Sequence, residues 1–386
     1  MSTEEFIENI WARKFHHFVR STPDFYDKLC TPEDIEAYLD SARVPVSAVR
    51  LTSVNDELPR TRFRFEDGSL DVVEIRNAFA NGYSIVLNAL DRYFPDIAEV
   101  SHAVEIELQF ECQINAYLTP PGSQAFPVHF DDHDVFIAQL HGTKLWTIYE
   151  NTVVDGTRLA QRDDIDTAGL PEPLTVTLSP GDALYIPRGM LHAAQTQDTP
   201  SVHLTFGIHP PTLKHLIVEI VEAMALRDGR LSDRLPPRLF ECPGSRLQVI
   251  DMVRKAAMLL AEENSVADGL GSLQDNLVRR GRCHARGQMV ENSINSHRIE
   301  CTTKLVRYSP LYSRVMGTAD GVALQFGQSL VNAPMGHLQA MLFVSKATGA
   351  FEVGDLPGLE AEAQLEFART LVTSGFLSLQ ESLPTR

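Results

Sequence analysis

Pro127-Val128-His129-Phe130-Asp131-Asp132-His133-Asp134-Val135-Phe136 packs two imidazoles and three carboxylates into ten residues of an otherwise apolar, turn-punctuated region. A second stretch follows about sixty residues later: Gly181-Asp182-Ala183-Leu184-Tyr185-Ile186-Pro187-Arg188-Gly189-Met190-Leu191-His192. Along an extended chain residues i and i+2 project to the same side. An extended Pro127–Asp131 therefore presents His129 and Asp131 together and packs Val128 and Phe130 the other way. His192, just past a Pro-x-Gly turn, delivers another imidazole from a separate strand. Two histidines and one carboxylate on one face leave coordination positions open, the donor set of non-haem Fe(II) oxygenases. A structural zinc site takes four protein ligands, and no cysteine lies close in sequence. His133 also stands two residues from Asp131, so spacing alone leaves it a rival to His129. His133, His141, Asp132 and Asp134 otherwise read as neighbours of the site or as structural residues.

Outward from this stretch the texture is that of short strands. Val104–Leu108, Gln113–Leu118, Val135–Leu140, Lys144–Tyr149, Leu174–Leu178, Ala183–Ile186, His192–Thr196 and Val202–Phe206 are separated by Pro120-Pro121-Gly122-Ser123, His141-Gly142, Pro180-Gly181-Asp182 and Pro187-Arg188-Gly189. About eight strands at this spacing predict a double-sheet jelly roll or barrel. Upstream, Phe6, Ile10, Phe15 and Phe18 form a loose helical stripe, and Thr31-Pro32-Glu33-Asp34 reads as an N-cap followed by proline and acids in a first helical turn. Val49–Thr52 and Thr61–Phe65 alternate like strands, and roughly Val72–Phe94 reads as helical, ending near Pro95. Beyond Pro210-Pro211, Thr212 is placed to cap a helix carrying Leu213, Leu216, Ile217, Ile220, Val221 and Met224. Arg246–Glu262 predicts another, with Leu247, Ile250, Val253, Ala257 and Leu260 on one face. The last segment reads as an apolar strand at Leu338–Val344, a helix over Glu360–Thr373 stopped by Gly375, and a strand at Phe376–Leu379.

The chain has 386 residues, 44% of them hydrophobic, without a long apolar run, which predicts a globular protein with no membrane span. Its first residues lack a basic segment followed by an apolar core, so no signal peptide is expected. Five scattered cysteines without a CxxC pair favour reduced thiols and a cytoplasmic setting. A formal net charge of −17 argues against a protein built to grip phosphate backbone, makes direct DNA binding unexpected, and is compatible with a basic protein or peptide partner.

With these residues in hand, the chain resembles JmjC-type, cupin-fold 2-oxoglutarate oxygenases, and within them the ribosomal oxygenases that hydroxylate arginyl or histidyl side chains of proteins. The resemblance runs from about Ile114 to Thr205, through Asn115–Ser123, His129-Phe130-Asp131-Asp132, Val135–Gly142, Lys144-Leu145-Trp146 and Arg188–His192. It implies that His129, Asp131 and His192 bind Fe(II), and its His-x-Asp order selects His129 over His133. It implies that Lys144 pairs with the distal carboxylate of 2-oxoglutarate, that Asn115 and Tyr117 contact this cosubstrate, that O2 is the other, and that Ser201 contacts substrate. The local pattern agrees independently for two of these. Gln113, Asn115 and Tyr117 alternate with Ile114, Ala116 and Leu118, as on a strand lining a wet pocket. Lys144 alternates with Trp146 and Ile148, a costly place for an ammonium without an anion.

The resemblance also implies the organisation: a mainly β protein with helices, having an N-terminal helical segment (1–45), a double-stranded β-helix (cupin, jelly-roll) catalytic domain (46–210), a helical dimerisation segment (211–300) and a winged-helix-like domain (301–386). The expected activity is hydroxylation of a protein side chain, a basic ribosomal protein being one candidate substrate, by a homodimer. Three alternatives stand beside it. The same chemistry could act on a natural-product peptide, a free amino acid or a modified tRNA base. A metal cupin could work without 2-oxoglutarate, against which Lys144 and Asn115 speak. A winged-helix DNA binder with a vestigial barrel is opposed by the acidity and the intact ligand set.

Overall fold

The computed structural model describes residues 1–41, 44–54, 56–153, 169–281, 296–308 and 311–380. Cys283, one of the five cysteines counted in the sequence, lies outside them. The chain divides into two compact units, one of residues 1–104 with 110–210 and one of 105–109 with 211–386.

The first unit holds helices α1 (Thr3–Asn9), α2 (Pro32–Leu39) and α3 (Val72–Ala80) and most of α4 (Pro95–Leu108). Its strands are β1 (His16–Phe18), β2 (Val49–Ser53), β3 (Asp56–Leu58), β4 (Ser84–Leu87), β5 (Glu111–Thr119), β6 (Asp134–His141), β7 (Lys144–Val153), β8 (Leu174–Leu178), β9 (Ala183–Ile186), β10 (Met190–Gln195) and β11 (Ser201–His209). Among the described residues the larger sheet runs β1-β9-β6-β11-β5-β4-β2-β3 and the smaller β10-β7-β8, with every recorded pairing antiparallel. Val135, Ile137, Leu184 and Ile186 from the larger sheet pack against Trp146, Ile148, Leu178 and Met190 from the smaller. This is the double-sheet arrangement that the strand spacing predicts. Gly142, at φ +63°, turns β6 into β7; a Cβ there would stand 1.9 Å from the carbonyl oxygen of Pro200, so only glycine fits.

Several local expectations are corrected. The Phe6-to-Phe18 stripe is not one helix: Phe6 and Ile10 pack on Tyr185, while His16–Phe18 is a strand on the edge of the larger sheet. Thus the N-terminal segment is partly sheet. Thr61–Phe65 is a 3-10 turn followed by a single bridge, Arg64 to Leu70. Within Val72–Phe94 only α3 is an α-helix; Ser84–Leu87 is a fully buried strand, whose unbroken apolar run carries no period-2 signal. Val104–Leu108 is the end of α4, which Pro95 opens at a first-turn position instead of closing the segment before it. The Thr31 and Thr212 caps form as read, each as a reciprocal capping box.

The second unit contains α5 (Leu213–Ala225), α6 (Pro243–Leu260), α7 (Glu263–Arg280), β12 (Lys304–Arg307), β13 (Ser313–Thr318), β14 (Gly321–Phe326), β15 (Ser329–Ala333), α8 (Leu338–Lys346), β16 (Phe351–Glu352), α9 (Ala361–Thr373) and β17 (Leu377–Leu379). Leu338–Val344 is helical, not a strand: Ala340, Met341 and Val344 sit at helical spacing and are buried with Leu305, Phe326, Leu371 and Phe376. A short apolar run does not distinguish the two states by itself. The apolar face of α6 exists as read but is uncovered in the single chain, with Leu247 68% and Val253 62% exposed. No helix among the described residues is long and apolar enough to cross a membrane.

Candidate metal centre and cosubstrate cavity

His129 and His192 face each other as an antiparallel backbone pair. His129 N donates to His192 O at 3.0 Å and His192 N donates to His129 O at 2.8 Å. This mutual exchange places both side chains on one face. Pro127–Asp131 is therefore not a continuous strand but a single bridge, and Asp131 is fixed separately: Gly189 N donates to its carbonyl oxygen at 2.9 Å. Gly189 has φ +80°, and Met190 N closes the turn onto Pro187 O at 3.2 Å, so the glycine both permits the turn and aims the amide.

The result is a compact donor set. One ligand atom each from His129, Asp131 and His192 lie within 4.8 Å of one another, with His192 Nε2 3.6 Å from Asp131 Oδ2. His129 Nδ1 donates to Pro127 O and His192 Nδ1 to Met190 O, both at 2.9 Å. A carbonyl only accepts, so both protons are held at Nδ1 and both Nε2 lone pairs are left for a cation. Burial and the neighbouring His129 pull the His192 imidazole down to about 4. Two imidazoles and a carboxylate without thiolate fit a divalent first-row metal with open positions. His133 is not in this group: its Nδ1 bonds Asp132 at 3.0 Å and its ring stacks on His209.

Beside the donor set is a cavity of about 580 Å³ lined by residues of both sheets, among them His129, Asp131, His192, Lys144, Asn115 and Tyr117. Lys144 is only 2% exposed, and its Nζ donates to Thr119 Oγ1 at 2.9 Å. No carboxylate among the described residues pairs with it, and desolvation draws its amine down from 10.5 to about 7. Asn115 is oriented by two donors on its Oδ1, Ala89 N at 2.9 Å and Gln113 Nε2 at 3.1 Å, which turns its own NH2 away from them. Ser201 does not reach the cavity. It is fully buried and accepts from Gln139 Nε2 at 2.9 Å.

What the sequence reading missed is a belt of six rings round this cavity. Successive centroids lie 4.4 Å apart from His129 to His192, 6.0 Å to Trp146, 5.7 Å to His203, 4.8 Å to Tyr117, 6.3 Å to Phe126 and 5.5 Å back to His129. All six line the cavity. His203 and Tyr117 are direct partners across β11 and β5, and their rings are parallel to within 1°. The alternation of Ser201, His203 and Thr205 along β11 is the signal that marks His203, because all three oppose the polar face of β5.

The frame behind the ligands is also hydrogen bonded. Tyr185 Oη donates to Asp134 Oδ1 at 2.6 Å and accepts from Ala12 N at 2.9 Å. The same Asp134 oxygen accepts from Arg188 N at 3.3 Å, in the turn that leads to His192.

Residues 92–216 match the JmjC domain family. The bifunctional lysine-specific demethylase and histidyl-hydroxylase NO66 of Aedes aegypti is 26% identical over 318 residues, which covers 76% of this chain and 48% of that protein. Human ribosomal oxygenase 1 is 44% identical over 98 residues, 25% of this chain and 15% of that protein. The chain thus spans about half the length of the first relative and less of the second. Among solved structures, Escherichia coli YcfD aligns over 98% of both chains with a TM-score of 0.60 at 18% identity, a likeness of fold. The ribosomal oxygenase YcfD in complex with cobalt and 2-oxoglutarate aligns over the same share with a TM-score of 0.58. Residues 92–216 thus match a JmjC domain, and the chain as a whole is similar in fold to a solved ribosomal oxygenase.

Proposed function

We propose that the protein is an Fe(II)- and 2-oxoglutarate-dependent dioxygenase that hydroxylates an amino-acid side chain of a protein or peptide. The observation that carries this reading is Lys144, a buried amine that no carboxylate among the described residues pairs with, in the same cavity as a His-Asp-His donor set. A lysine so placed is costly unless an acid meets it. The cobalt and 2-oxoglutarate complex of YcfD and the hydroxylase names of the relatives support the reading.

His129, Asp131 and His192 would hold Fe(II). When bound, Fe(II) with 2-oxoglutarate and O2 supplies oxidation of an unactivated C–H bond to an alcohol, with succinate and CO2 as co-products. The chain's own part is positioning and exclusion of water. The Nδ1–H bonds to Pro127 and Met190 fix both imidazoles in the ligating tautomer. Lys144 Nζ has donors left after Thr119 for a carboxylate. Trp146, Tyr117 and Phe126 give the cavity an aromatic lining. A basic ribosomal protein is the substrate class we favour, since relatives carry the ribosomal oxygenase name and an acidic chain of net charge −17 favours a cationic partner.

The uncovered α5–α6 surface supports a homodimer through the 211–300 segment. Leu213, Leu226, Phe240, Leu247, Val253 and Met258 are each more than 60% exposed, and α6 buries no residue in the single chain. The β12–β17 region with α8 and α9 is read as a winged-helix-like unit, and a cytoplasmic setting accords with the scattered cysteines. The activity test is direct. Purified protein with Fe(II), ascorbate, 2-oxoglutarate and a basic ribosomal-protein peptide should yield succinate and a +16 Da product, and His129→Ala should yield neither. Equal succinate from both proteins overturns the assignment.

A further inference from the structure

Asp134 opens β6 with its side chain on the outer face of the larger sheet. Phe136 and Tyr185, directly opposed on β6 and β9, share that face, while Val135, Ile137, Leu184 and Ile186 pack between the two sheets. The carboxylate is 3% exposed and is not among the residues that line the cavity. A buried carboxylate is costly unless donors meet it. Here Tyr185 Oη donates to Oδ1 at 2.6 Å and Arg188 N donates to the same oxygen at 3.3 Å. Burial raises the acid's pKa, and both of these bonds work against the rise. Neither the donor set nor the cavity wall uses this group.

What the two bonds join gives the carboxylate a purpose. Arg188 and Gly189 belong to the turn before His192. Gly189 N donates to Asp131 O, and three residues on, His192 exchanges both backbone bonds with His129. The bond from Arg188 N to Asp134 Oδ1 is the next rung of the same ladder, supplied by a side chain. The segment carrying His129 and Asp131 is thereby tied to the segment carrying His192 at three levels. On its other side, Tyr185 is tied to the N-terminal segment. Ala12 N donates to Tyr185 Oη at 2.9 Å from a residue at φ +56°, a left-handed conformation uncommon outside glycine. Phe6 and Trp11 pack on the same ring, with centroids at 5.1 and 5.6 Å. Resting on the metal reading above, we infer that Asp134 is a positioning residue for the metal ligands: through Arg188 N it fixes the separation of Asp131 and His192. The N-terminal segment acts on the centre through Tyr185 and Asp134. Because Asp134 faces away from the cavity, it reaches a bound ion only by way of the backbone.

The experiment titrates Mn(II) by calorimetry into the full chain and its variants, each first checked for folding by circular dichroism. Asp134→Ala removes the acceptor. Asp134→Asn keeps an oxygen that can accept from Tyr185 and from Arg188 N, but not the charge. Tyr185→Phe cuts the link to Ala12 and leaves the bond from Arg188 N in place. Gly142→Ala, just past the far end of β6, is the control for lost stability alone. Asp134→Ala should bind Mn(II) at least about 10-fold more weakly than wild type. Asp134→Asn should recover most of that loss, Tyr185→Phe should fall between the two, and Gly142→Ala should bind as wild type does. Wild-type affinity in Asp134→Ala, or equal weakening by Gly142→Ala, overturns the positioning role. Asp134→Asn as weak as Asp134→Ala overturns it too, because the carboxylate would then act by charge. Wild-type affinity in Tyr185→Phe refutes the part given to the N-terminal segment. Failure of the wild-type chain to bind Mn(II) overturns the metal reading itself, and this proposal with it.

Discussion

Replacing Lys144 with methionine separates what this side chain costs the fold from what it offers a ligand. The amine sits 2% exposed with one hydroxyl partner, and burial takes it from 10.5 to about 7. That difference corresponds to on the order of 5 kcal/mol. The sign follows from proton binding. Below pH 7 the amine is charged in both the folded and the unfolded chain, and the folded state bears the whole desolvation cost. Between pH 7 and 10.5 the unfolded chain keeps a proton that the folded chain has released, so stability rises with pH across that window. Above it both forms are neutral and the cost is gone. A methionine of similar length carries no such cost, but it leaves Thr119 without its donor, which offsets about 1 kcal/mol. Ligand-free Lys144→Met should therefore be more stable than wild type by about 2–4 kcal/mol at pH 6.5, and the gap should close as pH approaches 10. Urea unfolding of both proteins at intervals from pH 6.5 to 10 measures the difference, in which the titration of other groups cancels. A gap that stays constant with pH, or a variant less stable than wild type at pH 6.5, refutes the reasoning.

Tyr185→Phe deletes a hydroxyl that joins Ala12 N to Asp134; it should cost about 1–3 kcal/mol in denaturant unfolding, because both partners are left without their bond, and a loss under half of that would show that water replaces it. Gly142→Ala forces a Cβ onto the Pro200 carbonyl at a left-handed φ, so thermal unfolding should show a loss of at least about 2 kcal/mol; a melting temperature equal to wild type would mean that the hairpin shifts freely. Asp131→Asn removes the one anionic donor of the His-Asp-His set and should weaken Co(II) or Mn(II) binding at least about tenfold by calorimetry, whereas equal affinity would place the metal elsewhere. Val253→Glu on the open face of α6 should convert a dimer to a monomer in light scattering, and an unchanged mass would move the interface off that helix.

Much of the site could be read from local spacing because its parts are local. The His-x-Asp pair, the Pro-x-Gly turn and the alternating face of β5 each declare themselves within a few residues. Lys144 was legible for the opposite reason: a charge placed where the strand pattern demands an apolar residue. Other features were hidden by the way the chain is buried. Ser84–Leu87 is enclosed on both faces and so lost the alternation that marks a strand. Pro95 starts α4, yet a proline viewed alone reads equally well as a stop. The place of His203 in the belt of rings depends on Tyr117 opposite it, 86 positions earlier in the chain, and on Trp146 from the other sheet. No window of the sequence contains all three. Ser201 shares the face of His203 yet is not among the residues that line the cavity, because strand position tells which face a residue shares and not how far along the strand the cavity reaches.

The reciprocal backbone pairing of His129 with His192 bears on how the centre gains and loses its ion. Both amides and both carbonyls of the pair are satisfied by the chain itself, with the loop between them already closed in the fold. Among the described residues, the backbone that presents both Nε2 atoms to a cation is already paired, which lowers the entropy that binding must remove. Departure of the ion likewise leaves the strand bridge intact. The backbone bridge is thus a template on which one divalent metal could replace another while the strands stay paired.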